Sequence, residues 1–175
     1  KNFCVSDTFE PGSTIKPFTM ASALENGTLA GNEWYTCPGY KVVSGTRIKC
    51  NNRNGHGAQS LSDGIANSCN CVLMDVAAAL GDKEFCRYQT VFGFGEKTGI
   101  DLPGEAYTAS LVYTEENMKT IDLATNSFGQ NYNCTMIQVA SAFSSLVNGG
   151  TYYQPYMVSK VLGADGGTIS VTDPM

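Results

Sequence analysis

The chain has 175 residues, of which 42% are hydrophobic and 15% charged, so it is long and apolar enough to form a folded core and is not a disordered chain. Its 11 basic and 16 acidic residues give a net charge of −5 and no segment concentrates Lys and Arg, which argues against binding nucleic acid or anionic lipid. The best apolar run, Cys71 to Leu80, is ten residues long and contains Asp75, whereas a membrane span needs about 20 apolar residues.

The first predicted element is a helix over Ser13 to Glu25. It follows Pro11-Gly12, stops before Asn26-Gly27, and carries Pro17 in its first turn, where a missing N–H costs little. A β-hairpin is predicted next, with strands at 40–43 and 46–49 joined by Ser44-Gly45.

The remaining pattern is one of helices followed by strands. Helices are predicted at 60–66 with Ser60 as N-cap, at 70–80 closed by Gly81, at 83–92 and at 135–147, with a Gly- and Pro-rich loop at 93–108. Strands are predicted at 152–158 and 167–171. Because helices crowd the middle and strands come late, we expect an α+β fold rather than a wound parallel sheet.

The first motif that carries chemistry is Ser13-Thr14-Ile15-Lys16, an S-x-x-K pattern at a helix start. Residues three apart share a helix face, so the Lys16 amine can reach the Ser13 hydroxyl and act as its base once burial reduces its charge. Backbone N–H groups at the helix start suit a developing oxyanion. Taken alone, the pattern is weak evidence, because an N-cap serine beside a solvated lysine has the same pattern.

The second motif is Ser68-Cys69-Asn70, an S-x-N triplet between two predicted helices. Ser68 can pass a proton to a leaving group, and Asn70 can bind a substrate amide. Taken alone, it is also an ordinary interhelical turn with Asn70 as N-cap.

Together the two motifs resemble the S-x-x-K and S-D-N motifs of serine β-lactamases and penicillin-binding proteins. Further segments match in the expected order, namely Phe9-Glu10-Pro11-Gly12 before Ser13, Gly55-His56-Gly57, Gly93-Phe94-Gly95, Thr98 to Glu105, Ser127-Phe128-Gly129-Gln130, Gln138, and Gly149-Gly150 leading to Pro155. The chain is thus similar to class B penicillin-binding proteins over nearly its whole length. The pattern of Cys37, Cys50 and Ser68-Cys69-Asn70 is most like the sporulation-type transpeptidases, which include stage V sporulation protein D.

The resemblance implies that residues 1–175 are the central, mostly helical part of a single transpeptidase domain with the serine β-lactamase-like fold. The upstream region, any membrane anchor, part of the antiparallel sheet and the strand with the family's third motif are expected to lie outside this chain. Lys97-Thr98-Gly99 spells K-T-G but precedes the Ile-Asp-Leu-Pro-Gly-Glu segment, so we expect it to be a loop feature instead.

The resemblance also implies a serine-type D,D-transpeptidase that crosslinks peptidoglycan. Ser13 would attack the carbonyl of a D-Ala-D-Ala stem peptide with Lys16 as its base, Ser68 would relay a proton to the departing amine, and Asn70 would hold the peptide amide. β-Lactams would acylate Ser13 by the same route, and neither a metal nor an organic cofactor is expected. Because one oxyanion donor would come from the third-motif strand, this chain alone is expected to acylate weakly or not at all.

The expected partners are peptidoglycan stem peptides, β-lactams and other cell-wall assembly proteins of sporulation or cell division, but not nucleic acid. The parent protein is expected to be anchored in the bacterial membrane and to act on its extracytoplasmic face. Two other functions on the same fold are a serine β-lactamase, for which Glu105, Glu115 and Glu116 lie in a plausible region, and an inert β-lactam sensor or scaffold.

The cysteines allow several interpretations. Their number is odd, so at least one is free or pairs outside the chain. The resemblance to sporulation enzymes suggests a redox switch in which Cys50 pairs with Cys69, with Cys37–Cys50 as the competing pair and a buried, inert Cys69 as the simpler alternative. A zinc site can be drawn from Cys37, Cys50, Cys69 and Cys71, but their spacing matches no familiar zinc knuckle.

Overall fold

A computed structural model describes residues 1–172 of the chain, and the last three residues of the predicted domain, 173–175, lie outside this range. The helices are α1 (Phe3–Ser6), α2 (Lys16–Glu25), α3 (Leu61–Ala66), α4 (Asn70–Leu80), α5 (Asp82–Val91), α6 (Thr120–Asn126) and α7 (Met136–Val147), with 3₁₀ turns at Gly12–Ile15 and Ala109–Leu111. The strands are β1 (Thr8–Phe9), β2 (Trp34–Cys37), β3 (Tyr40–Val43), β4 (Thr46–Lys49), β5 (Gly57–Ser60), β6 (Cys134–Thr135), β7 (Lys160–Leu162) and β8 (Thr168–Val171). The α+β class is therefore confirmed. Within residues 1–172, no helix is both long enough and apolar enough to cross a bilayer.

Local capping explains why the predicted helices begin and end where they do. Ser60 caps α3 through a capping box in which its hydroxyl accepts the Asp63 N–H and the Asp63 carboxylate accepts the Ser60 N–H. Thr135 and Gln138 form the same arrangement at the start of α7. Gly81, at φ +84°, ends α4. These boundaries agree with the sequence predictions to within a residue or two.

The predicted hairpin is formed by β3 and β4, in a register that pairs Tyr40 with Lys49 and Val43 with Thr46. Ser44 and Gly45 both have positive φ, at +48° and +79°, which is the signature of a type I′ turn. The antiparallel pairing of β2 with β5, which places Cys37 opposite Gly57, was not predicted from the sequence.

Residues 10–89 and 113–133 form one compact unit, built around α4. This helix is buried on nearly every side, with Val72, Leu73, Val76 and Ala77 completely inaccessible to solvent. It packs against α2, α6 and the β2 and β3 strands. Removing that much apolar surface from water makes α4 the rigid element on which the rest of this unit is assembled.

Residues 1–9, 90–112 and the described residues from 134 onward form a second compact unit. In it β1 pairs with β6, and the buried Gln138 at the start of α7 donates to the Glu96 carbonyl and the Thr108 hydroxyl. The predicted strand at 152–158 is wrong. The N–H groups of Met157 and Val158 donate to the Asp101 carboxylate, so they are not available to a strand partner. The strand predicted at 167–171 is confirmed as β8, which pairs with β7.

Candidate active site

The S-x-x-K motif lies where a 3₁₀ turn becomes an α-helix. Gly12–Ile15 is the 3₁₀ turn, and α2 proper begins at Lys16, three residues later than predicted. The Lys16 N–H donates to the Ser13 carbonyl across this junction. Ser13 is exposed to solvent, whereas the Lys16 side chain is only 2% exposed. A hydroxyl open to a substrate thus lies one turn from a buried amine.

Backbone contacts fix the segment that carries Ser13. The Gly12 N–H donates to the Gly129 carbonyl at 2.8 Å, and a Cβ on Gly129 would lie 2.0 Å from the Gly12 carbonyl oxygen. Gly129 also has φ +84°, a conformation that favours glycine. Nearby, the Thr19 hydroxyl donates to the Ser127 carbonyl at 2.9 Å. The Ser127-Phe128-Gly129-Gln130 segment, noted above only as part of the family resemblance, therefore positions the Ser13 segment.

The Lys16 amine joins the S-x-x-K and S-x-N motifs. Its Nζ donates to the Ser68 carbonyl at 2.5 Å, to the Ser68 Oγ at 2.9 Å and to the Asn70 Oδ1 at 2.7 Å. The Asn70 amide in turn donates to the Lys49 carbonyl at 3.2 Å. All three polar side chains that sequence analysis assigned around Ser13 thus meet at one point, although Lys16 and Ser68 are 52 residues apart.

Ser68 has φ +50° in the break between α3 and α4, a left-handed conformation that costs a non-glycine residue roughly 1–2 kcal/mol. The left-handed residue turns the chain so that the Ser68 carbonyl and hydroxyl both reach Lys16. Strain of this kind persists only where surrounding contacts hold it, and it is concentrated at functional sites.

Burial also changes the basicity of the site. Loss of solvent lowers the pKa of the Lys16 amine from 10.5 to about 8, and Coulombic attraction to Cys50 and Cys69 limits this drop. At pH 7, a pKa of about 8 leaves roughly a tenth of the amines neutral and able to accept a proton. The arrangement can therefore deprotonate a hydroxyl and return that proton to a leaving group through the adjacent Ser68 hydroxyl.

Cysteines lie directly beside this site. Cys50 and Cys69 are fully buried, and their Sγ atoms are 3.8 Å apart. The Sγ atoms of Cys37 and Cys71 join them, so that all four sulfurs lie within 4.8 Å of one another. These four cysteines are thiols and form no disulfide with one another. The His56 Nδ1 lies 3.7 Å from the Cys50 sulfur.

The apparent K-T-G triplet lies in a loop, as expected. Its Thr98 donates through both its N–H and its hydroxyl to Glu105, and the Gly99 N–H donates to the same carboxylate. Glu105 thus holds the loop together, which is a structural task and not that of a carboxylate that activates water.

The chain is similar to a known protein family over nearly its whole length. Residues 1–174 match the model of the penicillin binding protein transpeptidase domain. Stage V sporulation protein D of Bacillus subtilis (strain 168) is 40% identical over 162 residues, which is 91% of this chain and 25% of that protein. Peptidoglycan D,D-transpeptidase FtsI of Escherichia coli (strain K12) is 29% identical over 161 residues, or 92% of this chain and 26% of that protein. The chain therefore spans about a quarter of the length of these relatives.

Solved structures show the same fold. The transpeptidase domain of a peptidoglycan glycosyltransferase from Eggerthella lenta superposes with a TM-score of 0.90 at 22% identity, covering 99% of this chain and 45% of that one. Penicillin binding protein 3 from Mycobacterium tuberculosis, complexed with aztreonam, gives a TM-score of 0.89 at 24% identity, covering 99% of this chain and 38% of that one.

Proposed function

Because the chain belongs to the penicillin-binding protein transpeptidase domain family, we propose that it carries the acylation centre of a serine D,D-transpeptidase that crosslinks peptidoglycan. One observation carries this proposal: the Lys16 amine bridges the S-x-x-K motif and both polar residues of the S-x-N motif. An N-cap serine beside a solvated lysine would not bury that amine or give it these partners.

In the first step the Ser13 Oγ attacks the carbonyl carbon of the penultimate D-Ala. Its proton passes to the neutral fraction of Lys16, whose lowered pKa makes that fraction appreciable at neutral pH. The Ser13 N–H, at the start of the 3₁₀ turn, is the candidate oxyanion donor on this chain.

In the second step the C–N bond breaks and the terminal D-Ala departs as an amine, which needs a proton. The Ser68 hydroxyl supplies it and is re-protonated by Lys16, with which it shares a 2.9 Å hydrogen bond. Asn70, held through both ends of its amide, is placed to bind the peptide backbone. An amine from a neighbouring stem peptide then attacks the acyl-enzyme, forming the crosslink and releasing Ser13.

The wider assignments belong to the same proposal. The substrate is the peptidoglycan stem peptide, β-lactams are inhibitors that acylate Ser13, and the chemistry itself requires no cofactor. The protein acts on the extracytoplasmic face of the bacterial membrane with other cell-wall assembly proteins. The similarity to stage V sporulation protein D and to FtsI supports a place in sporulation or division.

The test is intact-mass analysis of the full-length protein after incubation with benzylpenicillin. We expect a single covalent adduct that is absent from Ser13→Ala. Ser62→Ala is the matched control, because Ser62 is also an exposed serine at a helix start and has no role in the proposal. Persistence of the adduct in Ser13→Ala would contradict the assignment of the nucleophile. Rapid loss of the adduct with turnover would favour the β-lactamase alternative.

A further inference from the structure

A cluster of four thiols lies beside the candidate active site and has no task in acyl transfer. Each of the four cysteines is at most 1% exposed, and their sulfurs lie within 4.8 Å of one another. We propose that this cluster is a structural zinc site, with four thiolate ligands from Cys37, Cys50, Cys69 and Cys71. The assignment does not depend on the proposed acyl transfer, because zinc content and acylation are measured separately.

The sulfur positions fit a tetrahedral ion. Zinc–thiolate bonds of about 2.3 Å in a tetrahedron place neighbouring sulfurs about 3.8 Å apart. The Cys50 and Cys69 sulfurs are 3.8 Å apart, whereas a disulfide bond is about 2.05 Å long. The 4.8 Å limit for the whole cluster requires only small adjustments of side-chain rotamers to close all four bonds. A buried, closed set of four sulfurs is the ligand set typical of structural zinc.

The backbone around the cluster is already organised. Cys37 ends β2, Cys50 follows β4, and its N–H donates to the Gly39 carbonyl at 2.9 Å. A Cβ on Gly39 would lie 2.3 Å from the Arg53 carbonyl oxygen, and one on Gly55 would lie 2.3 Å from the Cys37 carbonyl oxygen. The backbones of the loops that contain Gly39 and Gly55 are therefore in direct contact. This contact holds Cys37, at the end of β2, and Cys50, just after β4, in place.

The other two ligands come from the start of α4. Cys69 is the N-cap residue and Cys71 lies in the first turn. The spacing C-x-C at a helix start is not that of a zinc knuckle, so the cysteine spacing alone is little reason to expect the site. In a zinc knuckle, neighbouring residues of one loop supply the ligands. Here the remaining two ligands, Cys37 and Cys50, come from the ends of β2 and β4.

The charge of the filled site has a counter-charge on this chain. Zinc would release the thiol protons to solvent and leave a complex of charge about −2. The Lys16 ammonium, attracted to Cys50 and Cys69, is a counter-charge on this chain.

A zinc ion here would tie the S-x-N motif to the strands. Cys69 lies between Ser68 and Asn70, and Ser68 is in a strained left-handed conformation. Ligation of Cys69 and Cys71 would anchor this turn to β2 and β4. The two partners of Lys16 would then be held by a metal cross-link in addition to the packing of α4.

The experiment is elemental analysis of the full-length protein, purified in a reducing, oxygen-free buffer and dialysed after addition of zinc. We expect about one zinc ion per chain, and at least a tenfold lower zinc content in Cys37→Ser and Cys71→Ser. Cys86→Ser is the matched control, because Cys86 is a partly buried cysteine of the same compact unit outside the cluster, and it should keep the zinc. These ligand variants leave the S-x-N motif itself unchanged.

A second measurement does not depend on variants that fold. Cobalt(II) added to the metal-free wild-type protein should produce the visible bands of tetrahedral cobalt and the intense near-ultraviolet sulfur-to-cobalt charge-transfer band, and zinc should abolish both. A reduced protein that binds no stoichiometric zinc and gives no such bands would overturn the proposal. So would stoichiometric iron in place of zinc, or a peptide map that shows a Cys50–Cys69 disulfide re-forming in the presence of zinc.

Discussion

The segment that carries Ser13 contacts a distant part of the chain through its backbone, whereas the turn that carries Ser68 and Asn70 contacts distant residues through side chains. A Cβ on Gly129 would lie 2.0 Å from the Gly12 carbonyl oxygen, so these two backbone segments touch directly. Besides its local backbone hydrogen bonds to Gly64 and Ile65, the Ser68–Asn70 turn is joined to the Lys16 amine, and Cys69 lies among the neighbouring thiols. Backbone contacts cannot adjust, but side-chain contacts change with protonation, ligation and oxidation. The two halves of the site should therefore fail in different ways.

Lys16 links the two halves, so its removal should have the largest effect. Lys16→Met keeps the length of the side chain and removes its basic nitrogen, so the rate of acylation by benzylpenicillin should fall roughly 10²–10⁴-fold. Lys49→Met is the control, because Lys49 is exposed and contributes its backbone carbonyl to Asn70, which the substitution preserves. A rate in Lys16→Met within about threefold of wild type would exclude Lys16 as the base.

The Gly129 contact should produce the largest effect on stability. In Gly129→Ala, a methyl group would be forced to within 2.0 Å of the Gly12 carbonyl oxygen at φ +84°, so we expect a loss of more than about 2 kcal/mol of unfolding free energy. Gly27→Ala has the same kind of backbone strain, at φ +71°, but nothing within 4 Å of the added methyl.

Urea denaturation of the two variants separates steric overlap from strain. Gly27→Ala should cost only about 1 kcal/mol. Equal losses in the two variants would mean that the Ser13 segment moves away from Gly129 easily, and the contrast between a rigid and an adjustable half would not hold.

Local signals in the sequence predicted the elements that carry the site. The helix after Ser13, the type I′ hairpin and the α4 boundaries follow from residues that are neighbours in the chain, such as Pro17, Ser44-Gly45 and Gly81. The strand at 152–158 failed because Asp101, more than 50 residues away, accepts its N–H groups. A pattern of neighbouring residues cannot predict a hydrogen-bond acceptor that lies so far away in the sequence.

The same distinction applies within the site. Ser13, Lys16, Ser68 and Asn70 are predicted site residues because each motif is short and the family resemblance gives the motifs an order. The Gly12–Gly129 contact and the four-sulfur cluster join segments that are far apart in sequence, and they depend on tertiary packing. The spacing of the cysteines argued against a metal site, because the known spacing patterns belong to loops that supply all the ligands from one segment. In this cluster the ligands would come from the ends of two strands and the start of a helix.

The pH dependence of acylation tests the electrostatics of the linking residue. With the neutral form of Lys16 as the proposed base, and its pKa lowered by burial to about 8, the rate should rise about tenfold per pH unit below pH 8 and level off above it. The amine is protonated below its pKa and cannot then accept a proton, so the rate of acylation should fall as the pH falls. Lys16→Met should flatten this rise, and an inflection near 10 in the wild type would contradict a base whose pKa is lowered by burial.

The smallest expected effect concerns the strain in the adjustable half. Ser68→Ala and Ser68→Gly both remove the hydroxyl that contacts Lys16, so both should slow acylation to a similar extent. They should differ in stability, because glycine adopts φ +50° without the cost that alanine incurs, which makes Ser68→Gly more stable than Ser68→Ala by about 1 kcal/mol.

Ser62 provides the matched pair for that comparison. It lies in the first turn of α3 with ordinary helical geometry, so there the order should reverse, with Ser62→Ala more stable than Ser62→Gly by up to about 1 kcal/mol. Thermal unfolding of the four variants measures both differences. If alanine is preferred at both positions, the left-handed conformation of Ser68 is not held in the folded protein, and side-chain contacts with Lys16 do not keep the turn strained. If the order reverses as expected, position 68 keeps its left-handed conformation without the hydroxyl, and the contacts that remain, including the Lys16 hydrogen bond to the carbonyl of residue 68, hold the strained turn.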